Sequence, residues 1–166
     1  MLSKSVKPKR TKSPEQALSA LMRLAARSEK SSGDALRLMQ SWSVEPSARQ
    51  GILQKLIDNK FIDDHRYAEA FVRDKMRFSG WGAFKLRAAL RNKGISADII
   101  EEVLHSLNSS DMVDRLHERL ERKMHTIKYT SRYELKTKLM RYGASLGYEF
   151  ESVADVVDAL ISNIKE

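Results

Sequence analysis

The feature that most constrains this chain is that it repeats itself. Apolar pairs four residues apart occur three times, as Ala35 and Met39, Leu86 and Leu90, and Leu135 and Leu139. Four residues after each pair stands Ser43, Gly94 or Gly143, so the closing residues are 51 and then 49 positions apart. Downstream, Val44, Ile52, Leu53 and Leu56 match Ile95, Val103, Leu104 and Leu107. They match Tyr148, Val156, Val157 and Leu160 once a four-residue insertion, Ala144 to Gly147, is allowed. Spacing of four is helical, and a period near fifty is the mark of one supersecondary unit used several times.

Punctuation within each period divides it into three helices. Ser13, Pro14 and Gln16 form a capping box with proline at the first helical position, opening a helix through Leu18, Leu21 and Ala25. Ser31 and Ser32 precede the Ala35 stripe, and Glu45 with Pro46 leads into Ile52. Ile62 and Asp63 read as a staple and a cap, with Tyr67 at the fourth helical position; the helix runs on through Phe71, Val72 and Met76 until Gly80 and Gly82 break it. Gly94 ends the next, and Ser96 caps the one after, with Ile95 placed to staple onto Ile100. In the last third, Val113, Leu116, Leu120, Met124 and Ile127 share one face, Ser131 and Glu134 form another capping box, and Gly143 is expected to close that helix. Val153, Val157, Leu160 and Ile164 make the ninth stripe. The expectation is an all-α fold of three tandem three-helix repeats, 14–60, 61–108 and 109–166, preceded by a disordered basic tail at 1–13. Such units stack side by side into an elongated, curved array.

Composition narrows the chemistry. The absence of cysteine removes disulfides, thiolate metal sites and cysteine nucleophiles, and no apolar run is long enough for a membrane helix, so a cytoplasmic protein is expected. The net charge of +8 is unevenly distributed. Met1 to Ser13 holds five basic residues and no acid; Arg73 to Lys93 has seven basic residues against one acid, and Arg115 to Arg141 nine against three. Glu149 to Glu166 reverses the sign, with five acids and one base. Segregated charge of this kind suits a polyanionic partner better than solubility alone requires.

Catalytic patterns are poor. His117, Glu121 and His125 stand one turn apart, but among charged neighbours they read as a solvated face, and no metal site is expected. Gly80, Trp81 and Gly82 follow no strand, and Lys85 occupies the place of a third glycine, so no nucleotide fingerprint results. No catalytic residue, cofactor or enzymatic activity is expected. The basic helices are more informative. Arg87 and Arg91 share a face opposite Leu86 and Leu90, with Lys85 and Lys93 flanking, and Arg73 and Arg77 form a second pair one turn apart. Long cations projecting together from a rigid element are what phosphate recognition requires. Trp81 and Phe84 are the candidate stacking residues, because Tyr67 and Phe71 lie on the apolar face.

The stretch Phe61 to Ile95 resembles the central repeat of the RecX family of bacterial recombination regulators. It carries that family's acidic start at Asp63 and Asp64, and its core at Arg66, Tyr67, Ala68, Phe71 and Val72. The Gly-led basic helix follows at Gly82, Lys85, Leu86 and Leu90, and the closing motif at Lys93, Gly94 and Ile95. The resemblance implies a non-enzymatic, monomeric protein lying in the groove of the RecA filament on single-stranded DNA, with double-stranded DNA as a further ligand. There it would limit filament growth and suppress ATPase, strand-exchange and co-protease activities. Ser43 stands where a glycine is expected, and Ala83 where many relatives carry proline. Together the two readings make Arg73, Arg77, Lys85, Arg87, Arg91 and Lys93 the expected filament-binding residues. The alternatives are a stand-alone DNA-binding protein such as a transcription regulator, and a purely protein-binding helical array. About four phosphate contacts to a single strand would give a slope near −3 in log K against log salt, whereas the protein-only reading predicts a flat response.

Overall fold

Helices begin where a side chain relieves the amides that a first turn leaves unpaired. In a computed structural model describing residues 10–164, the Ser13 hydroxyl accepts from the Gln16 amide at 3.2 Å and Gln16 returns a bond to the Ser13 amide at 3.0 Å, opening α1 (Pro14–Arg27). Ser31 and Asp34 repeat the exchange at the start of α2 (Ser32–Ser41). Pro46 opens α3 (Pro46–Asp58), and the Asp63 carboxylate accepts from the Arg66 amide at 3.0 Å to open α4 (Asp64–Asp74). The chain continues into a π-helical turn, Lys75–Ser79, then α5 (Ala83–Asn92) and α6 (Ala97–His105). The last three helices are α7 (Ser109–Thr126), α8 (Arg132–Ser145) and α9 (Phe150–Ser162). No strand occurs among the described residues.

Two caps differ from expectation. Ser96 sits at the N-cap of α6 without a side-chain bond. At α8 the Ser131 hydroxyl accepts from the Glu134 amide, but the Glu134 carboxylate accepts from Lys138 at 2.7 Å and from the Thr130 amide and hydroxyl, each at 2.8 Å. Those donors, Lys138 first, hold its carboxyl down at about 2.

The chain forms two compact units: one ends at Tyr67 and takes in Lys93–Ile95, and the other comprises Ala68–Asn92 and the chain from Ser96 onward. In the first, Leu21, Ala35, Met39, Val44 and Leu56 are buried together with Ile52, Leu53 and Ile62. In the second, Leu116 and Leu120 of α7 meet Leu135 and Leu139 of α8 and Val153, Val157 and Leu160 of α9. All six residues of the repeated i, i+4 pairs are fully buried. Val113, expected on the buried face of α7, is exposed because it lies a turn before Leu116, where the core begins.

Gly143 does not close its helix. It is buried inside α8, where a Cβ would come within 2.5 Å of the Val153 side chain, so the missing side chain lets α9 approach. The four-residue insertion lengthens α8 to 14 residues against 10 in α2 and α5, and the turn moves to Gly147. Ser43, Gly94 and Gly147, with φ of 52°, 78° and 90°, are therefore the equivalent left-handed positions.

The residue before each of these accepts a backbone or hydroxyl donor from outside its own helix pair. In the first unit the Ser31 hydroxyl donates to the Lys93 carbonyl at 2.8 Å. In the second the Gly82 amide donates to the Leu146 carbonyl at 2.7 Å and the Phe84 amide to the Gly147 carbonyl at 3.0 Å. A Cβ on Gly82 would meet the Gly147 oxygen at 2.6 Å. The Trp42 carbonyl receives the Lys12 amide at 3.0 Å, and the Lys12 ammonium lies 5.1 Å from the Trp42 ring centre. Of the basic tail expected at 1–13, positions 1–9 lie outside the described residues.

Ser43 carries a left-handed backbone conformation that costs an L-residue about 1–2 kcal/mol, part of which is offset by the lower entropy of its unfolded state relative to glycine. Ser43→Gly is expected to stabilise the chain by roughly 0.5–1 kcal/mol, read as a rise in urea midpoint at unchanged slope. A fall in midpoint would contradict the assignment.

Candidate nucleic-acid interface

In the second unit, arginines from three elements converge on one cleft. Arg73 of α4, Arg77 of the π-helical turn and Arg115 of α7 line a cavity of about 280 Å³, floored by Val72, Met76 and Val103 and bordered by Glu69 and Asp111. The Arg73 side chain is 71% exposed and its guanidinium is 3.6 Å from Asp74; Arg77 has no carboxylate at ion-pair distance among the described residues and lies against the Phe78 ring at 5.3 Å. The wider turn between them changes the spacing expected from an α-helix, yet both reach the same cleft. The Arg119 guanidinium donates to the Phe78 carbonyl at 3.0 Å and the Arg77 carbonyl at 3.4 Å, which fixes the backbone that carries Arg77.

The other four expected cations are placed differently from one another. Arg87 forms a two-point ion pair with Glu101 of α6, Nε to Oε1 at 2.6 Å and Nη2 to Oε2 at 3.1 Å, and its side chain is 30% exposed. The guanidinium holds the Glu101 carboxyl below its ordinary range, and Arg91 adds to that effect, so one acid fronts both arginines. Arg87 is thus a largely neutralised structural partner, where the sequence reading had it projecting free beside Arg91. The Lys85 ammonium donates to the Ser145 carbonyl at 3.2 Å and lies 4.8 Å from the Trp81 ring centre. Lys93 belongs to the first unit, where its ammonium is 3.4 Å from Asp34. Burial opposes the Asp34 charge, but Arg37, the Ser31 amide and Lys93 together hold its carboxyl below the usual value.

The aromatic candidates also separate. Trp81 is half-buried, with the Lys75 and Lys85 ammoniums each 4.8 Å from its ring centre and Phe71 edge-on at 6.2 Å; these contacts compete with base stacking. Phe84 is exposed, and so is Phe78, which the sequence reading passed over. Arg115 was missed as well. Its signal was the second basic band, but only folding brings α7 beside α4.

A family model described as RecX, second three-helix domain, matches residues 63–104. The regulatory protein RecX of Clostridium botulinum strain Eklund 17B is 33% identical over 109 residues, 64% of this chain and 50% of that protein. The regulatory protein RecX of Clostridium tetani is 30% identical over 148 residues, covering 80% of this chain and 68% of the relative. The chain belongs to the RecX family. It spans about half the length of the Clostridium botulinum RecX it matches. The crystal structure of RecX from Lactobacillus salivarius superposes with a TM-score of 0.79 at 20% identity, covering 91% of this chain and 97% of that one, which shows the shared all-helical RecX fold. The two Clostridium relatives are named regulatory proteins. No described helix is long and apolar enough to cross a membrane.

Proposed function

We propose that the chain binds in the groove of the RecA filament on single-stranded DNA and restrains the filament's ATPase, recombinase and co-protease activities, and through them DNA repair and the SOS response. The observation that carries this reading is the set of exposed arginines, Arg73, Arg77 and Arg115, around one cleft in a chain of the RecX family. Guanidinium groups give paired, directional donors to phosphate and carboxylate oxygens, so the same cleft suits a filament surface made of DNA and acidic protein. Arg91 and Lys85 are further exposed cations on α5, while Arg87 becomes available to a partner only through competition with Glu101. The direct test is ATP hydrolysis by RecA on single-stranded DNA with this chain at substoichiometric amounts. Slowed hydrolysis supports the reading, and an unchanged rate rejects it.

The Glu101 contact gives a second expectation. Glu101→Gln removes the charge that neutralises Arg87 and retains a hydrogen-bonding side chain. Affinity for single-stranded DNA should rise, and the salt slope should steepen by about 0.7 as one more cation becomes available to phosphate. Equal slopes for parent and variant in fluorescence anisotropy would remove Arg87 from the interface.

A further inference from the structure

From the α7–α8 corner, we infer a second phosphodiester-binding site, separate from the arginine cleft and resting on the nucleic-acid half of the reading above. Lys123 at the end of α7, Lys128 in the connection, and Lys138 and Arg141 on α8 line a concavity of about 540 Å³ that has no acidic side chain in its wall. By contrast, the arginine cleft is bordered by Glu69 and Asp111. Among the described residues, Lys123, Lys128 and Arg141 have no carboxylate at ion-pair distance.

The corner is held in shape before any ligand arrives. The Lys138 ammonium donates to the Lys128 carbonyl at 2.7 Å and pairs with Glu134 at 2.7 Å, which ties the connection to α8. The Lys123 ammonium lies 5.1 Å from the ring centre of Tyr142. Cations fixed on a rigid frame lose less entropy on meeting phosphates than free side chains do.

These charges are not a requirement of the three-helix unit. With Leu135 and Leu139 aligned on Leu86 and Leu90, and those on Ala35 and Met39, Lys138 corresponds to Ala89 and Leu38, and Arg141 to Asn92 and Ser41. The same scaffold positions are apolar or neutral in the other two repeats. With Lys138 committed to Glu134 and the Lys128 carbonyl, Lys123, Lys128 and Arg141 give the third repeat positive charge with no carboxylate at ion-pair distance among the described residues, in a concavity wide enough for a sugar–phosphate backbone. A single strand fits better than an acidic protein loop because the site offers dispersed lysine charges, which follow a flexible polyanion, and one arginine for directional pairing.

The test uses the full chain and a fluorescent thirty-nucleotide oligothymidine, without RecA. Lys128→Glu with Arg141→Glu, both at exposed positions, should weaken binding at least about tenfold at low salt and reduce the log–log salt slope by about 1.4, with helicity unchanged. On the parent chain, acylation of Lys123 and Lys128 should be slowed when the oligonucleotide is present, which needs no variant to fold. An unchanged slope, or equal acylation with and without oligonucleotide, overturns the site. If the variant loses inhibition of RecA while its oligonucleotide binding is intact, the corner contacts protein and the phosphodiester assignment is wrong. If the parent leaves RecA unaffected but binds oligonucleotide through Lys128 and Arg141, the site stands and the filament-regulator reading falls.

Discussion

Replacing Gly147 with alanine is expected to destabilise the chain by about 3 kcal/mol, from the left-handed backbone cost and overpacking together. The left-handed conformation at φ 90° disfavours any Cβ, and the new methyl would come within 2.6 Å of the Lys85 backbone nitrogen, which cannot swing aside as a side-chain tip could. The bonds from Gly82 and Phe84 to the Leu146 and Gly147 carbonyls would have to stretch to admit it. For a chain of this size the loss corresponds to a fall of roughly 6–12 °C in Tm, measured by circular dichroism at 222 nm. Gly51→Ala is the control. Gly51 lies inside α3 with open space around it, so alanine there should stabilise by about 0.5–1 kcal/mol through helix propensity. If both variants melt together with the parent, the docking of the α5 start on the α8–α9 turn does not carry the stability assigned to it.

The largest effect on RecA inhibition is expected from Arg73→Ala combined with Arg77→Ala. Both side chains are exposed, and their removal leaves the apolar floor of the cleft in place, so helicity should be unaffected. Two lost phosphate contacts would flatten the salt slope for single-stranded DNA by about 1.4. Inhibition of RecA's ATPase should require about tenfold more protein, in line with roughly 0.7 kcal/mol for each exposed charged contact removed. Arg87→Ala should behave differently: it removes an intramolecular partner of Glu101 and leaves that acid beside Arg91, so its effect on binding should be smaller than that of the Arg73 and Arg77 pair. A variant lacking Arg73 and Arg77 that inhibits as well as the parent would rule out the cleft as the contact surface.

Much of the local structure was legible because its causes are local. Ser13 with Gln16 marks its helix start through side chains that reach only three residues, and Ser31, read from the sequence only as preceding an apolar stripe, makes the same exchange with Asp34. The buried pairs Leu86 and Leu90, and Leu135 and Leu139, announce themselves by spacing alone. Glu134 shows where such reasoning stops: the capping pattern was present, but Thr130 and Lys138 offered its carboxylate better donors than the amide it was expected to reach. Gly143 shows the same limit from the opposite side. A glycine near a helix end reads as a stop, and nothing nearby in sequence reveals that Val153 needs its space.

The site was less legible for the same reason. Arg73, Arg77 and Arg91 could be chosen from helical spacing, but spacing cannot foresee that Glu101 comes back across the α5–α6 turn to neutralise Arg87, or that Arg115 arrives beside Arg77 from a later helix. The sequence by itself determined an all-helical chain built on a repeated three-helix unit, with basic and acidic segments set apart, because periodicity, capping and charge order act over a few residues. Tertiary structure decided which cations remain available to a partner and which glycines are backbone contacts, because ion pairing and close approach depend on distances between helices that the chain brings together only by folding.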